Sequence, residues 1–291
     1  MSTFARFTSA GAALFIAALL LIPILSACSS GEQKRPVIAV STPQQEQLLR
    51  YVVADDFKIV TLLPLNADPE TSEPSMTAIA DLRNCGMYLN LNTPGFEYSM
   101  VKQIKSNFPE MAVADVSRTI NPISGTHGDS TSFDPHYLNS LRNARLIASR
   151  MKTKLTQRYP QFDKQLSANA ALLDDSLRRL DDSVTRMLRP LYGRSFVVFH
   201  PSLSYFARDY GLRQISLMEE GKESSPKQFM ERLDMAANSN PILLFYEKGG
   251  DEQRAKQVAD ELAIPAVEIN LNSPYFSKNI MQVARELSSR Q

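Results

Sequence analysis

The sequence predicts an α/β protein of two similar lobes, each a mostly parallel sheet covered by helices, joined by a long central helix. Three observations carry this. Short β-branched apolar runs alternate with stretches of helical period, the pattern of a helix-covered parallel sheet. That alternation occurs twice, over residues 36–136 and again over 190–291. Between the two, apolar residues recur every three or four positions from Leu138 through Leu141, Ile147, Met151, Leu155, Phe162, Leu166, Leu173, Leu177, Leu180 and Val184 to Met187. That period runs far beyond an ordinary helix of roughly 8–20 residues.

In chain order, residues 37–41 form the first expected strand, an apolar run of the buried type. A helix is expected over 44–53 and a second strand over 57–63. The second strand runs into a turn-rich loop, Pro64-Leu65-Asn66-Ala67-Asp68-Pro69-Glu70. Ser75 signals the start of a helix over 76–82. Residues 87–91 read as a third strand, 98–107 as a helix and 111–116 as a fourth strand. A polar loop over 121–131, which holds His127, then leads to Ser132-Phe133-Asp134-Pro135-His136.

The linking segment is expected over 137–189. Pro160 interrupts it, because proline lacks the amide proton and clashes with the preceding turn, so two helical pieces are expected, over 137–158 and 161–189. Arg, Lys and Asp on the face opposite the apolar stripe mark a packed helix whose Leu and Met residues are core. Pro190 ends it. In the second lobe, residues 196–199 read as a strand ending at His200, 204–210 as a helix and 215–218 as a strand. Ser225-Pro226 opens a helix to 237, followed by a strand over 242–246, a helix over 253–262, a strand over 266–270 and a last helix over 276–287. Two such lobes imply a cleft, where ligands of open parallel sheets sit.

The 291 residues are ample for a buried core. With 32 basic and 31 acidic residues and no basic run, nothing in the charge attracts nucleic acid, and nucleic acid is excluded as a partner on that ground. The N-terminus reads as a targeting segment. Arg6 precedes an apolar run from 10 to 25, and Leu25-Ser26-Ala27-Cys28 resembles a bacterial lipobox. This implies a signal peptide over 1–27, cleavage before Cys28 and lipid on Cys28. The run is short for a span of ~20 apolar residues, which counts against a transmembrane anchor. Residues 28–35 then make a polar tether that stands the body off the lipid membrane. The expected location is extracytoplasmic, lipid-anchored to a bacterial membrane. With Cys28 lipidated, Cys85 has no disulfide partner, and its apolar context favours a buried structural thiol.

Three residues fall where the cleft would be. Glu70 lies in the loop after the second strand, His136 at the junction of the first lobe and the linking helix, and His200 at the carboxyl end of a strand. Strand ends and helix starts are where side chains converge. No two of the three are close in sequence, so spacing alone leaves both a metal site and structural roles open. His127, in a polar loop, reads first as a surface residue.

The motifs together resemble the zinc/manganese-type solute-binding lipoproteins of ABC importers. The resemblance spans nearly the whole mature chain. It rests on Leu63-Pro64, Ala67-Asp68-Pro69-Glu70, Glu73-Pro74-Ser75, Asp134-Pro135-His136, Ser225-Pro226 and Phe245-Tyr246-Glu247. Its most specific part is His200-Pro201-Ser202-Leu203-Ser204-Tyr205-Phe206-Ala207-Arg208-Asp209-Tyr210-Gly211-Leu212. The resemblance implies one divalent metal held between the lobes by four side chains, as cargo for an ABC transporter permease, with no catalytic residues. His136 and His200 stand at ligand positions unchanged. Glu70 stands where the family usually has the histidine of an Asp-Pro-His. Asn270 replaces the usual acidic ligand, and Tyr137-Leu138 stands where a tryptophan is common. Glu268, on the same strand face as Asn270, and His127 are weaker alternatives. Two imidazoles and a carboxylate suit Zn, Mn or Fe and disfavour Ca and Mg.

Two other readings compete. Changes at two of the four ligand positions fit a family member whose metal site has weakened, kept as an adhesive or structural lipoprotein. Two imidazoles and one carboxylate also occur in metalloenzymes, but no nucleophile–base pair or phosphate-binding glycine loop accompanies them here.

Overall fold

Eight four-residue strands, all paired in parallel, build two sheets in the computed structural model, which describes residues 35–124, 133–218 and 225–290. In the first lobe the strands are β1 (Val37–Val40), β2 (Lys58–Thr61), β3 (Met87–Asn90) and β4 (Ala112–Asp115), in the order β2-β1-β3-β4. In the second they are β5 (Ser195–Val198), β6 (Arg213–Ser216), β7 (Leu244–Glu247) and β8 (Ala266–Ile269), in the order β6-β5-β7-β8. The two lobes therefore repeat one topology, in which the chain changes direction across the sheet beside the first strand of each lobe. Such switch points open a crevice at the carboxyl ends of the strands.

The alternation along the strands explains the layering. Ile38, Val40, Met87 and Leu89 face a large shared core, while Ala39 and Tyr88 face the outer helices of the first lobe. In the second lobe Phe196, Val198 and Phe245 face the shared core, and Val197 and Leu244 face outward into a separate cluster. Both faces are covered, which is why these strands read as continuous apolar runs.

The first-lobe helices are α1 (Pro43–Val53), α2 (Met76–Asp81) and α3 (Phe96–Asn107). Thr42 caps α1 in a reciprocal capping box with Gln45, and Ser75 caps α2 through Ala78 N. The linking segment forms α4 (Leu141–Arg158) and α5 (Asp163–Leu188), separated by a short 3-10 turn that starts at Pro160. The break falls where the proline predicts it. The reversal there was not foreseen: Arg145 pairs with Asp174, Arg142 with Asp181, and Thr156 Oγ1 donates to Asp163, so the pieces run antiparallel as a hairpin. These partly exposed ion pairs contribute ~0–1 kcal/mol each. The buried seam of Met151, Leu155, Leu166, Leu173 and Leu177, at ~1.5–3 kcal/mol per side chain, outweighs them.

The second lobe adds α6 (Ser204–Tyr210), α7 (Pro226–Ala237), α8 (Glu252–Glu261) and α9 (Phe276–Ser288). Ser225 caps α7 in a second capping box, with Pro226 in its first turn. Inward residues of α1, α4, α5 and α9 meet in the shared core, so the lobes are packed into one unit from Pro36 onward. Expected strands overran their observed ends: residues 57–63 shorten to Lys58–Thr61, and 266–270 to Ala266–Ile269. Leu62 and Leu63 are buried all the same, as loop residues packed under the first lobe.

Cys85 is a free, buried thiol, and burial with the nearby Asp81 charge pushes it up to about 12, the state of an inert structural cysteine. The expected signal peptide, Cys28 with nearly all of its tether, and His127 lie outside the described residues. Among the described residues no helix is long and apolar enough to cross a membrane.

Candidate metal centre

Each of the three candidate side chains is delivered by a strand end or by the loop that follows one. Glu70 comes from the loop after β2. There Asp68 accepts the Glu70 amide at 2.9 Å and the Thr71 hydroxyl at 2.9 Å, an Asx-type turn that fixes the backbone. His136 follows the first lobe and stands just before the short 3-10 turn Tyr137–Asn139. His200 lies two residues past the end of β5, at the switch point of the second sheet.

The second lobe holds the His136 turn in place. Tyr205 donates its hydroxyl to the Asp134 carbonyl at 2.9 Å, and Asn139 Nδ2 donates to the Ser202 carbonyl at 2.9 Å. Both contacts join the Asp-Pro-His turn to the segment that begins at His200. The Asp134 carboxylate, 3% exposed, accepts from the His136 backbone at 2.8 Å and from its Nδ1 at 2.9 Å. A carboxylate can only accept, so Nδ1 carries a proton and Nε2 is the ring nitrogen that faces the cleft. Neither role, for Asp134 or for Tyr205, was assigned from sequence. The carboxylate two residues before the histidine was the available signal for the first.

The structure brings Glu70, His136 and His200 together. His136 Nε2 lies 3.1 Å from His200 Nε2, and Glu70 Oε1 lies 3.4 Å from His200 Nε2 and 3.6 Å from His136 Nε2. Among the described residues these three form the group of His, Cys, Asp and Glu side chains able to share an ion. Glu70 Oε1 is buried and makes no hydrogen bond, although it faces both rings. Tetrahedral bonds of ~2.0–2.1 Å from nitrogen and oxygen donors to zinc place neighbouring donors ~3.3–3.4 Å apart. The three separations fall around that value. The donor set and its orphaned carboxylate oxygen thus fit a divalent transition metal.

The electrostatics are those of a cation site. Burial alone would lower the His136 imidazole, but the Asp134 carboxylate, joined by Glu70 and Glu247, more than offsets it and raises the ring to about 9. Burial would raise the Glu70 carboxyl, yet the His200 and His136 rings hold it below the usual range. Asp134 is likewise held low against its burial by His136.

Asn270 and Glu268 stand differently. Asn270 Nδ2 donates to Asn66 Oδ1 at 3.4 Å, a link between the lobes' rims. Glu268 is exposed on β8 opposite Tyr246 of β7, outside the converging group. Two hollows meet at the trio. Glu70 and His136 line a narrow cavity of ≈ 50 Å³, and His136 and His200 line an open cleft of ≈ 670 Å³.

Two doubly covered parallel sheets with a ligand cleft at their switch points define a class: two-lobed receptors that take a solute between their lobes. Residues 38–278 match the ZnuA family, described as the periplasmic component A of a zinc-uptake complex, and the chain belongs to that family. The family is a transport component and not an enzyme family. The zinc-binding lipoprotein AdcA of Streptococcus pneumoniae is 23% identical over 274 residues, which cover 88% of this chain and 54% of that protein. The zinc-binding protein AdcA of Streptococcus pyogenes is 23% identical over 263 residues, covering 82% of this chain and 50% of that one. The chain spans about half the length of these curated relatives. A crystal structure of ZnuA superposes with a TM-score of 0.80 at 29% identity, covering 88% of this chain and 98% of that one. The Mn-bound periplasmic metal-binding protein from Candidatus Liberibacter asiaticus shares the fold at 18% identity, with a TM-score of 0.77 over 87% and 98% of the two chains.

Proposed function

We propose that this protein captures a divalent transition metal, zinc or manganese first and iron next, at Glu70, His136 and His200. It then delivers the ion to an ABC permease from a lipid anchor at Cys28. The observation that supports this most is the triangle of three donor atoms at 3.1, 3.4 and 3.6 Å, built by loops distant in sequence. A decayed site kept only as an adhesive scaffold would have no reason to keep a buried carboxylate oxygen aimed at two imidazole nitrogens at 3.4 and 3.6 Å.

Capture works by exchange of a proton for an ion. Against the lowering effect of burial, the Asp134, Glu70 and Glu247 carboxylates raise His136, which favours a proton on its Nε2 in the metal-free protein. The arriving cation takes that proton's place, while Asp134 keeps the ring oriented through Nδ1. Glu70 supplies the one negative charge that touches the ion. Asn270 offers through Oδ1 a neutral oxygen, a weaker donor than the family's carboxylate. Glu268 and His127 are secondary candidates for the same place. Isothermal titration of the metal-stripped protein tests the proposal. Zinc or manganese should bind one to one at micromolar levels or tighter, and His200→Ala should abolish binding. Silence in the wild type with all three metals would overturn it.

A further inference from the structure

We infer that His136 and His200 form one preassembled unit across the lobes and that Glu70 is the ligand that yields, so that the ion enters and leaves by displacement of the Glu70 turn. This rests on the metal-capture reading and assigns which part of that site moves.

The histidines come from different lobes, yet the chain around each is tied to the other. The buried Tyr205 hydroxyl accepts from Ile123 N at 3.2 Å and donates to the Asp134 carbonyl at 2.9 Å. It thereby joins two ends that Asp134 N already closes on the Ile123 carbonyl at 3.0 Å. Asn139 Nδ2 donates to the Ser202 carbonyl, the Ser140 hydroxyl to the Asp209 carboxylate, and Arg208 Nη1 to the Asn121 carbonyl. Asn139, Ser140, Ser202 and Tyr205 are all buried. Opening this tie strands polar groups away from water, so its bonds hold as a set. The 3.1 Å approach of the two imidazoles is fixed by that set.

The Glu70 turn is held differently. None of residues 64–75 is buried. The turn's hydrogen bonds are local: Ala67 N to the Pro64 carbonyl, Thr71 N and Ser72 N to the Asp68 carbonyl, and the two accepted by the Asp68 carboxylate. Among the described residues, apart from the approach of Glu70 to the imidazoles, one hydrogen bond joins 64–72 to the rest of the chain. It runs from Asn270 Nδ2 to Asn66 Oδ1, exposed and 3.4 Å long. Segments with few buried contacts and exposed backbone bonds open at far lower free energy than packed ones. The three ligands therefore sit on two parts of unequal stiffness, and the softer part carries the carboxylate.

Hydrogen exchange of the whole metal-free protein tests the stiffness. Amides of 66–72 should be protected at least about tenfold less than those of 136–140 and 202–207, the gap between a local opening and a packed unit. Equal protection would overturn the inference. In Tyr205→Phe, protection over 136–140 should fall at least about tenfold while 66–72 keeps its rates; Asn139→Ala serves the same purpose if that variant does not fold. Full protection of 136–140 in either folded variant would remove the tie. Zinc release into excess chelator, followed by stopped flow, tests the moving part. Asn66→Ala should speed release by about 3–10-fold, one hydrogen bond's contribution, with the metal-free melting temperature unchanged. An unaltered release rate would also overturn the inference while leaving metal capture intact. Absence of zinc binding by the wild type in titration would instead sink the capture reading, and this inference with it.

Discussion

Asp68-Pro69-Glu70 and Asp134-Pro135-His136 are the same turn used twice, once in the loop after β2 and once after the first lobe is complete. In both, the aspartate accepts the backbone amide two residues on, at 2.9 Å and 2.8 Å. They part at the side chain. The His136 ring can donate, so Asp134 takes Nδ1 as well and fixes both tautomer and orientation. The Glu70 carboxylate cannot donate, so the second oxygen of Asp68 takes the Thr71 hydroxyl instead, and Glu70 is oriented only by its backbone and the two imidazoles. The same local grammar therefore yields a clamped ligand at one place and a charge-positioned one at the other.

The comparison is sharpened most by removing a donor outright. His136→Ala and His200→Ala should each lower zinc affinity by more than about 100-fold, beyond the 10–100-fold typical of partners that touch only a ligand, as measured by titration against a competing chelator. Glu70→Gln keeps the shape and removes the charge, and it should cost manganese more affinity than zinc, because imidazoles hold zinc well and manganese favours carboxylate. Equal losses for the two metals would contradict the role given to Glu70. Asp134→Asn, which releases the clamp, should weaken zinc by about 10–100-fold. Asp68→Asn, which touches only backbone and Thr71, should cost less than about tenfold. If the two aspartate variants behave alike, the asymmetry between the turns is wrong.

The smallest expected effect is a pH dependence. The folded-state pKa of His136 is raised from 6.5 to about 9, so its contribution to metal-free stability is fully present below 6.5 and lost as pH rises through about 9. Glu70 and Asp134 are held below 4.5 and 3.8, so their contributions are present above those values and lost as the pH falls. The metal-free protein should therefore lose melting temperature between pH 6.5 and 9. The zinc-induced rise in melting temperature should grow over the same window, because binding no longer has to displace the His136 proton. A zinc shift independent of pH would rule out proton exchange at His136.

Much of this was legible in the residues. The two-fold repeat of strand and helix, the capped starts at Ser75 and Ser225, and the break at Pro160 all follow from local rules of period, capping and proline geometry. Strand ends were overdrawn at 57–63 and 266–270; Leu62 and Leu63 are buried and still donate to Val40 and Ser41 carbonyls, so the apolar pattern runs past the last regular strand residue. The site was half legible. Glu70, His136 and His200 could be nominated from their places at strand ends and from the family motifs. Asn270 was nominated from the family motif alone, and it stands hydrogen-bonded to Asn66.

What the sequence determined by itself was the alphabet of the fold, since helical and strand periods and their punctuation are properties of neighbouring residues. Only the tertiary structure decided three things. It folded the linking segment back on itself at Pro160, because an apolar stripe says which face is buried and not against what. It brought the Glu70 oxygen between two imidazoles drawn from opposite lobes, a meeting that depends on the shared core of both sheets. It also anchored the Asp-Pro-His turn through the Tyr205 hydroxyl, a contact made across 71 residues of chain that no local pattern encodes.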